Sequence, residues 1–208
     1  MSGAEVAKNT GPIDWDEVHR FAPGEAMPWY YPRLDPDVAW AMNLLDVRVP
    51  TVLDLGTSNG TQAIELARHG LDVTATDVSP TAIADATARA RQAGVRCRFV
   101  VDDVLNSRLN AQFDFVVDRG CLHVLPVEQR SEYVNSVAKL VRLRGHLFLK
   151  CASDKYLGNA RAPHKFSPQQ IKDLFAGSPF FLCEIRSAIF FSNVDPPPPA
   201  LFCILRRM

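Results

Sequence analysis

The stretch Thr51-Val-Leu-Asp-Leu-Gly-Thr-Ser-Asn-Gly-Thr-Gln-Ala-Ile-Glu-Leu-Ala-Arg-His-Gly70 decides the fold. Residues 49–55 are apolar and β-branched enough to predict a buried strand. Residues 56–60 read as a turn. Residues 61–69 then repeat apolar positions at helical spacing and stop at Gly70. A parallel strand that enters a helix through a glycine turn presents free backbone N–H groups and a positive helix end to whatever binds there. The glycines let the backbone bend and approach a ligand closely.

Two cofactor classes use such a turn. Dinucleotides call for G-x-G-x-x-G, whereas this chain has G-x-x-x-G, Gly56 to Gly60, with Asp54 two residues ahead. A carboxylate there repels a pyrophosphate and suits a ligand bearing an ammonium or sulfonium charge. The next apolar run, Leu71-Asp-Val-Thr-Ala-Thr-Asp77, ends in an acidic residue able to take both hydroxyls of a ribose. S-adenosylmethionine fits this set: it is cationic at the methionine end, carries a ribose in the middle and has no phosphate.

Moving outward, the strand and helix periods alternate. Strands are expected at 71–77, 96–101, 113–117 and 146–151, and crossover helices at 79–93 and 126–142, with a weakly marked helix or loop at 106–112. Asp35-Pro36, Ser79-Pro80 and Ser167-Pro168 each pair an N-cap with a proline at the first helical position. A short helix over 167–176 precedes two closing strands, 180–192 and 200–206. Only residues 193–199 join them, too few for a parallel crossover, so this pair is expected to be antiparallel. Tyr133, Val137, Leu140 and Val141 form an apolar stripe and are assigned to the core. The fold class is therefore α/β: a Rossmann-like, doubly wound, seven-stranded and mostly parallel sheet closed by an antiparallel C-terminal hairpin.

The chain has 208 residues and no net charge, which suits a single domain over residues 35–208 and argues against a dedicated nucleic-acid binder. Residues 1–10 are small and polar and are expected to fray. A short helix over 13–21 has Asp14 as its cap. Residues 22–34 carry Pro28-Trp29-Tyr30-Tyr31-Pro32, too aromatic for a solvated linker, so residues 1–34 are read as a lid or strap over the site. No stretch resembles a signal peptide or spans a bilayer. The cysteines, Cys97, Cys121, Cys151, Cys183 and Cys203, lack C-x-x-C spacing, and four of them sit in or beside expected strands as small buried thiols. A reducing cytoplasm is the expected compartment, and no metal site is expected.

Val52-Leu-Asp-Leu-Gly-Thr-Ser-Asn-Gly60, Thr76-Asp-Val-Ser79, Phe99-Val-Val-Asp-Asp-Val104 and Phe113-Asp-Phe-Val-Val-Asp-Arg-Gly-Cys-Leu-His123 together resemble the class I S-adenosylmethionine-dependent methyltransferases. The resemblance runs from about residue 28 to the C-terminus. It implies S-adenosylmethionine as cofactor and S-adenosylhomocysteine as product. The cofactor residues it implies are Trp29, Asp54, Gly56, Thr57, Ser58, Gly60, Asp77, Val78, Asp118 and Arg119, with Asp103 taking the adenine amine and Val104 packing on its ring. Asp102 is then left to face solvent or cap a helix. Within the class, Pro28-Trp29-x-x-Pro32-Arg33-x-x-Pro36, Asp118-Arg119-Gly120 and Pro163-His164-Lys165-Phe166-Ser167 are similar to the small thiol-type group that includes the thiopurine S-methyltransferases. Pro32 stands where that group prefers glycine.

Asp118 and His123, at the end of the fourth strand, are the candidate catalytic residues. His123 is read either as a base, from its ordinary pKa near 6.5, or as a positioning residue. Lys150 interrupts an apolar run and is expected to snorkel to solvent. The loop 152–166 is expected to act as a lid. A small-molecule acceptor is the expected partner, a thiol or similar soft nucleophile foremost, with no nucleic acid or membrane. A phenol, an amine or a macromolecule as acceptor, and a non-catalytic cofactor-binding module, are the alternatives, and a nicotinamide-dependent reductase is disfavoured by the glycine spacing.

Overall fold

The computed structural model describes residues 13–22, 24–45, 50–157 and 163–208. The expectation for residues 1–10, the lid reading at residues 158–162, and the strand start at Val49 lie outside those residues. The elements run α1 (Trp15–Phe21), α2 (Pro36–Leu45), β1 (Thr51–Leu55), α3 (Thr61–Arg68), β2 (Asp72–Asp77), α4 (Pro80–Gln92), β3 (Arg98–Val101), β4 (Phe113–Arg119), α5 (Arg130–Leu140), β5 (Val141–Ala152), α6 (Pro168–Phe175), β6 (Phe180–Ile189) and β7 (Pro199–Arg207).

One seven-stranded sheet has the order β3-β2-β1-β4-β5-β7-β6. β1 to β5 are parallel, and β7 runs antiparallel between β5 and β6. The expected fold class is therefore observed. Strand order reverses between β1 and β4, and the carboxyl ends of those two strands open the crevice in which such sheets bind ligands. Each face of the sheet carries its own apolar cluster. α5 and α6 cover one through Tyr133, Val137 and Ile171, and α2 and α3 cover the other through Val38, Ala41 and Leu66.

The local devices act as their chemistry dictates. Asp14 caps α1, accepting from the Glu17 amide. Ser79 caps α4 and Ser167 closes a full capping box with Gln170, each followed by proline at the first turn. Two boundaries differ from expectation. The helix expected over 126–142 is a 3-10 turn, Val127–Gln129, followed by α5, which ends at Leu140. Val141, placed on the helical stripe from sequence, instead opens β5, whose twelve residues begin well before 146. The extension is possible because residue 145 lacks a side chain: a Cβ at Gly145 would stand 2.8 Å from the Asp114 carbonyl oxygen. β4 and β5 slip register at that point.

Candidate functional site

The crevice is built on the turn between β1 and α3. Gly56 and Gly60 both adopt positive φ, at 62° and 79°, and so does Ser58 at 53°. A Cβ on Gly60 would lie 2.8 Å from the Ala86 Cβ, so the missing side chain lets α4 pack against the turn. One on Gly56 would meet the Cys121 Cβ at 3.4 Å, in a backbone conformation that strains any L-residue. A narrow cleft beside the turn is lined by Trp29, Tyr31, Asp54, Gly56, Ser58 and Arg119, among others.

Four carboxylates reach this region, and their partners separate them. Asp54 is buried and accepts from the Thr57 hydroxyl at 2.6 Å; its other oxygen has no partner among the described residues. Burial pushes its carboxyl up to about 7. Asp77 is buried and accepts from the Ser58 and Ser79 amides, both at 2.9 Å. Burial holds it above its ordinary value against those two donors. Asp103 is exposed and caps a 3-10 turn by accepting from the Leu105 amide at 3.0 Å, with Val104 partly buried beside it. Asp102 is the buried one, accepting from the Arg108 amide at 2.9 Å. The sequence expectation for Asp102, solvent-facing or a cap, is thus corrected: the cap is Asp103, and Asp102 holds the following loop. Val78, half exposed beside Asp77, and Thr57 and Ser58 in the turn complete the expected set.

The end of β4 departs from expectation. Asp118 is fully buried and accepts four hydrogen bonds, from the Gly120, Cys121 and Leu122 amides at 2.6–2.9 Å and from the Tyr133 hydroxyl at 2.6 Å. It fastens the turn after β4 to α5, and its lone pairs are spent there. That leaves Asp118, expected to carry chemistry or hold the cofactor, with no free lone pair facing the crevice. Tyr133, assigned only to the core from sequence, is core and also a partner of this carboxylate. His123 Nδ1 accepts from the Ala152 amide at 3.0 Å, and burial with the nearby Arg119 charge pushes its pKa down to about 3. The ring is neutral, its one lone pair is taken, and its Nε2 side packs so closely on Gly120 that a Cβ there would stand 2.8 Å away. His123 braces β4 against β5. Of the base and positioning readings, this geometry fits positioning.

Residues 52–145 match a family model described as a methyltransferase domain. EEF1A lysine methyltransferase 2 of Homo sapiens is 30% identical over 108 residues, 48% of this chain and 46% of that protein. The 2-heptyl-1-hydroxyquinolin-4(1H)-one methyltransferase of Mycobacteroides abscessus is 26% identical over 148 residues, 69% of this chain and 64% of its own length. These alignments span less than two thirds of either relative. A protein solved in work on the conversion of a disulfide bond into a thioacetal group during echinomycin biosynthesis superimposes with a TM-score of 0.77 at 24% identity, covering 93% of this chain and 91% of that one. The 1,6-didemethyltoxoflavin-N1-methyltransferase of Burkholderia thailandensis gives 0.69 at 21% identity, covering 94% and 83%. At these identities the two structures bear on the fold.

The same end of the sheet also contains a buried ion cluster that sequence reading missed. Lys150 is fully buried rather than snorkelling, and its ammonium bonds both oxygens of Asp35 and one of Asp37, each at 2.7 Å. Arg119 donates to Asp35 at 2.9 Å, to the Trp29 carbonyl at 3.1 Å and to the Phe191 carbonyl, and Arg186 reaches Asp37. Nothing local signals this arrangement, since Lys150 and Asp35 are 115 positions apart. Arg119 therefore lines the cleft while tying the N-terminal strap to the sheet. The strap is held at further points. Trp29 donates to the Ser58 hydroxyl, Gln62 bonds Arg33 and Asp35, and Asn193, between β6 and β7, donates to the Glu25 and Met27 carbonyls. Cys151 and Cys203 are the buried thiols; Cys97 and Cys121 are partly covered, and Cys183 is exposed, against the expectation of four buried ones. Among the described residues no metal-binding cluster occurs, and no helix is long and apolar enough to cross a membrane.

Proposed function

We propose that this protein transfers a methyl group from S-adenosylmethionine to a small-molecule acceptor with a soft nucleophile, a thiol foremost. The cradle fits the cofactor. At φ +62° Gly56 holds a turn that a side chain would strain, and among the described residues one oxygen of Asp54 has no partner in a site where burial resists its ionisation. An ammonium group beside Asp54 would relieve that cost. Asp77 and Val78 lie where a ribose and an adenine edge would follow, and Asp103 and Val104 at the end of β3. Trp29 and Arg119 wall the methionine end. S-adenosylmethionine supplies a methyl group already activated on a sulfonium, so holding and drying the reactants can contribute roughly 7–11 kcal/mol without a proton leaving the cofactor.

The soft acceptor rests on one observation: the end of β4 offers no side chain able to take a proton. The His123 lone pair is engaged by the Ala152 amide, and Asp118 is saturated. An acceptor there has to ionise by itself, which a thiol with a pKa of about 8.5 does far more readily than a phenol near 10. The strap and the β6–β7 connection roof the strand ends, which favours a small acceptor over the protein substrates named for the lysine methyltransferase relatives.

The test has two arms. Calorimetry with S-adenosylmethionine and with NAD should show binding of the first only. Methyl transfer to matched thiols, phenols and amines should then run fastest with thiols and rise with pH along each thiol's own ionisation. Absence of cofactor binding would overturn the whole reading. Faster transfer to phenols or to protein lysines would overturn the acceptor.

A further inference from the structure

α1 buries none of its residues, yet its inner side is not an arbitrary surface. Asp16 accepts from the Ser79 hydroxyl at 2.7 Å and from the Thr81 amide at 2.9 Å, so it sits on the first turn of α4. Ser79 in turn donates its amide to Asp77. One helical turn after Asp16, the His19 ring meets the Trp29 indole edge to face, centroids 6.2 Å apart, and Trp15 meets the same indole at 6.0 Å. α1 is thus pinned between the Asp77 end of β2 and the tryptophan that walls the cleft.

We propose that His19 is a cofactor-contact residue, closing the ribose end of the site over Asp77 with α1 as the outer wall. The inference rests on the S-adenosylmethionine reading above. A neutral imidazole there can exchange one hydrogen bond with a ribose hydroxyl that Asp77 also holds. The charged groups acting on His19 are Asp77 of β2, Asp85 of α4 and Asp16 on its own helix; the strap contributes Trp29, which is uncharged. Burial, the largest influence, lowers the pKa of His19 against these three carboxylates, so at neutral pH the ring is uncharged. On acidification the imidazolium pairs with Asp77 and competes with the ribose.

The experiment is calorimetric binding of S-adenosylhomocysteine to the full chain, wild type against His19→Phe and His19→Gln, from about pH 5.5 to pH 8. Phenylalanine keeps the edge contact with Trp29 and cannot titrate or hydrogen-bond. His19→Phe should weaken binding about fivefold at pH 8, the loss of one hydrogen bond. The gap to wild type should narrow only as the pH falls through the lowered pKa of His19, below its ordinary value near 6.5, where wild type loses the same bond. His19→Gln should keep most of the affinity at pH 8 and hold it better on acidification. A His19→Phe protein that matches wild type throughout, or a His19→Gln protein that loses as much affinity at pH 8 as His19→Phe, overturns the assignment. A wild type that binds no cofactor at any pH overturns the methyltransferase reading instead, so the two failures are distinguishable.

Discussion

The strap over residues 24–35 and the helix α1 lie side by side over one site, but they are held by different physics. The strap is riveted. Met27 is 2% exposed and Asp35 is fully buried. Arg119, Lys150, Gln62 and Asn193 reach it from four different elements. α1 rests on one carboxylate and two aromatic edges, and none of its residues is buried. In sequence both fall within residues 1–34, read together as a lid or strap, although only residues 22–34 are the aromatic stretch and residues 13–21 read as a short capped helix. What separates them is where the charges end up: a three-cation, two-carboxylate cluster centred on the fully buried Asp35 and Lys150 roots the strap, whereas Asp16 keeps its bonds at a helix end. A cover that must admit a cofactor is better built from the second kind, since locally weak elements open without unfolding the core.

The most severe way to break this contrast is Lys150→Met. It leaves the fully buried Asp35 to Arg119 alone and Asp37 to Arg186, and removing one partner of a buried charge cluster costs about 3–5 kcal/mol. Urea denaturation should show a loss of that order. An unchanged midpoint would mean that the cluster does not root the strap. Gln62→Ala is gentler. It strips the Asp35 amide of its acceptor and the Arg33 carbonyl of its donor while leaving every charge paired. A destabilisation of about 1–3 kcal/mol is expected, with faster hydrogen exchange at residues 33–35 than elsewhere in the sheet. Exchange that stays slow there would return the strap's stability to its apolar contacts.

How much of this was legible depended on the range of the interaction involved. The β1 turn, the three proline-marked helix starts and the antiparallel closing hairpin follow from neighbours within a few residues, so sequence periodicity found them. The end of α5 did not follow, because Val141 and Leu143 satisfy helical and strand spacing equally well, and Gly145 decides through a backbone contact with Asp114 on another strand. Lys150 was misread for the same reason: a lysine in an apolar run is indistinguishable from a snorkelling one until Asp35 and Asp37 are brought beside it. Asp102 and Asp103 are adjacent in sequence, and strand register could not tell which would turn inward. Asp118 and His123 were located at the right strand end. Their hydrogen bonds, to Tyr133 and Ala152, are tertiary, and those bonds turn two apparent catalytic groups into braces. The one available hint at α1 was that Asp14 marks a helix start just ahead of the aromatic strap.

The mildest intervention falls on α1 itself. Asp16→Ala removes the acceptor of both the Ser79 hydroxyl and the Thr81 amide, yet α4 keeps its own Ser79 cap on the Ala82 amide. Amides of α1 should therefore exchange severalfold faster while the urea midpoint moves little, because no fully buried residue is lost with the helix. A midpoint that drops as far as in Gln62→Ala would place α1 in the same cooperative unit as the strap, and the contrast would collapse. The sign of the pH effect sharpens the same test. The Thr81 amide and Ser79 hydroxyl hold the Asp16 carboxyl well below its ordinary value. A lowered carboxylate contributes fully above its unfolded pKa and is lost only as pH falls through the lower, folded one. Between about pH 5 and pH 8 Asp16 stays ionised, so its latch should not respond to pH. Any pH dependence of α1 exchange in that window, after correction for intrinsic rates, then belongs to His19 or to the Asp77 carboxyl, which burial holds above its ordinary value. The part that belongs to His19 should be absent from the His19→Phe protein.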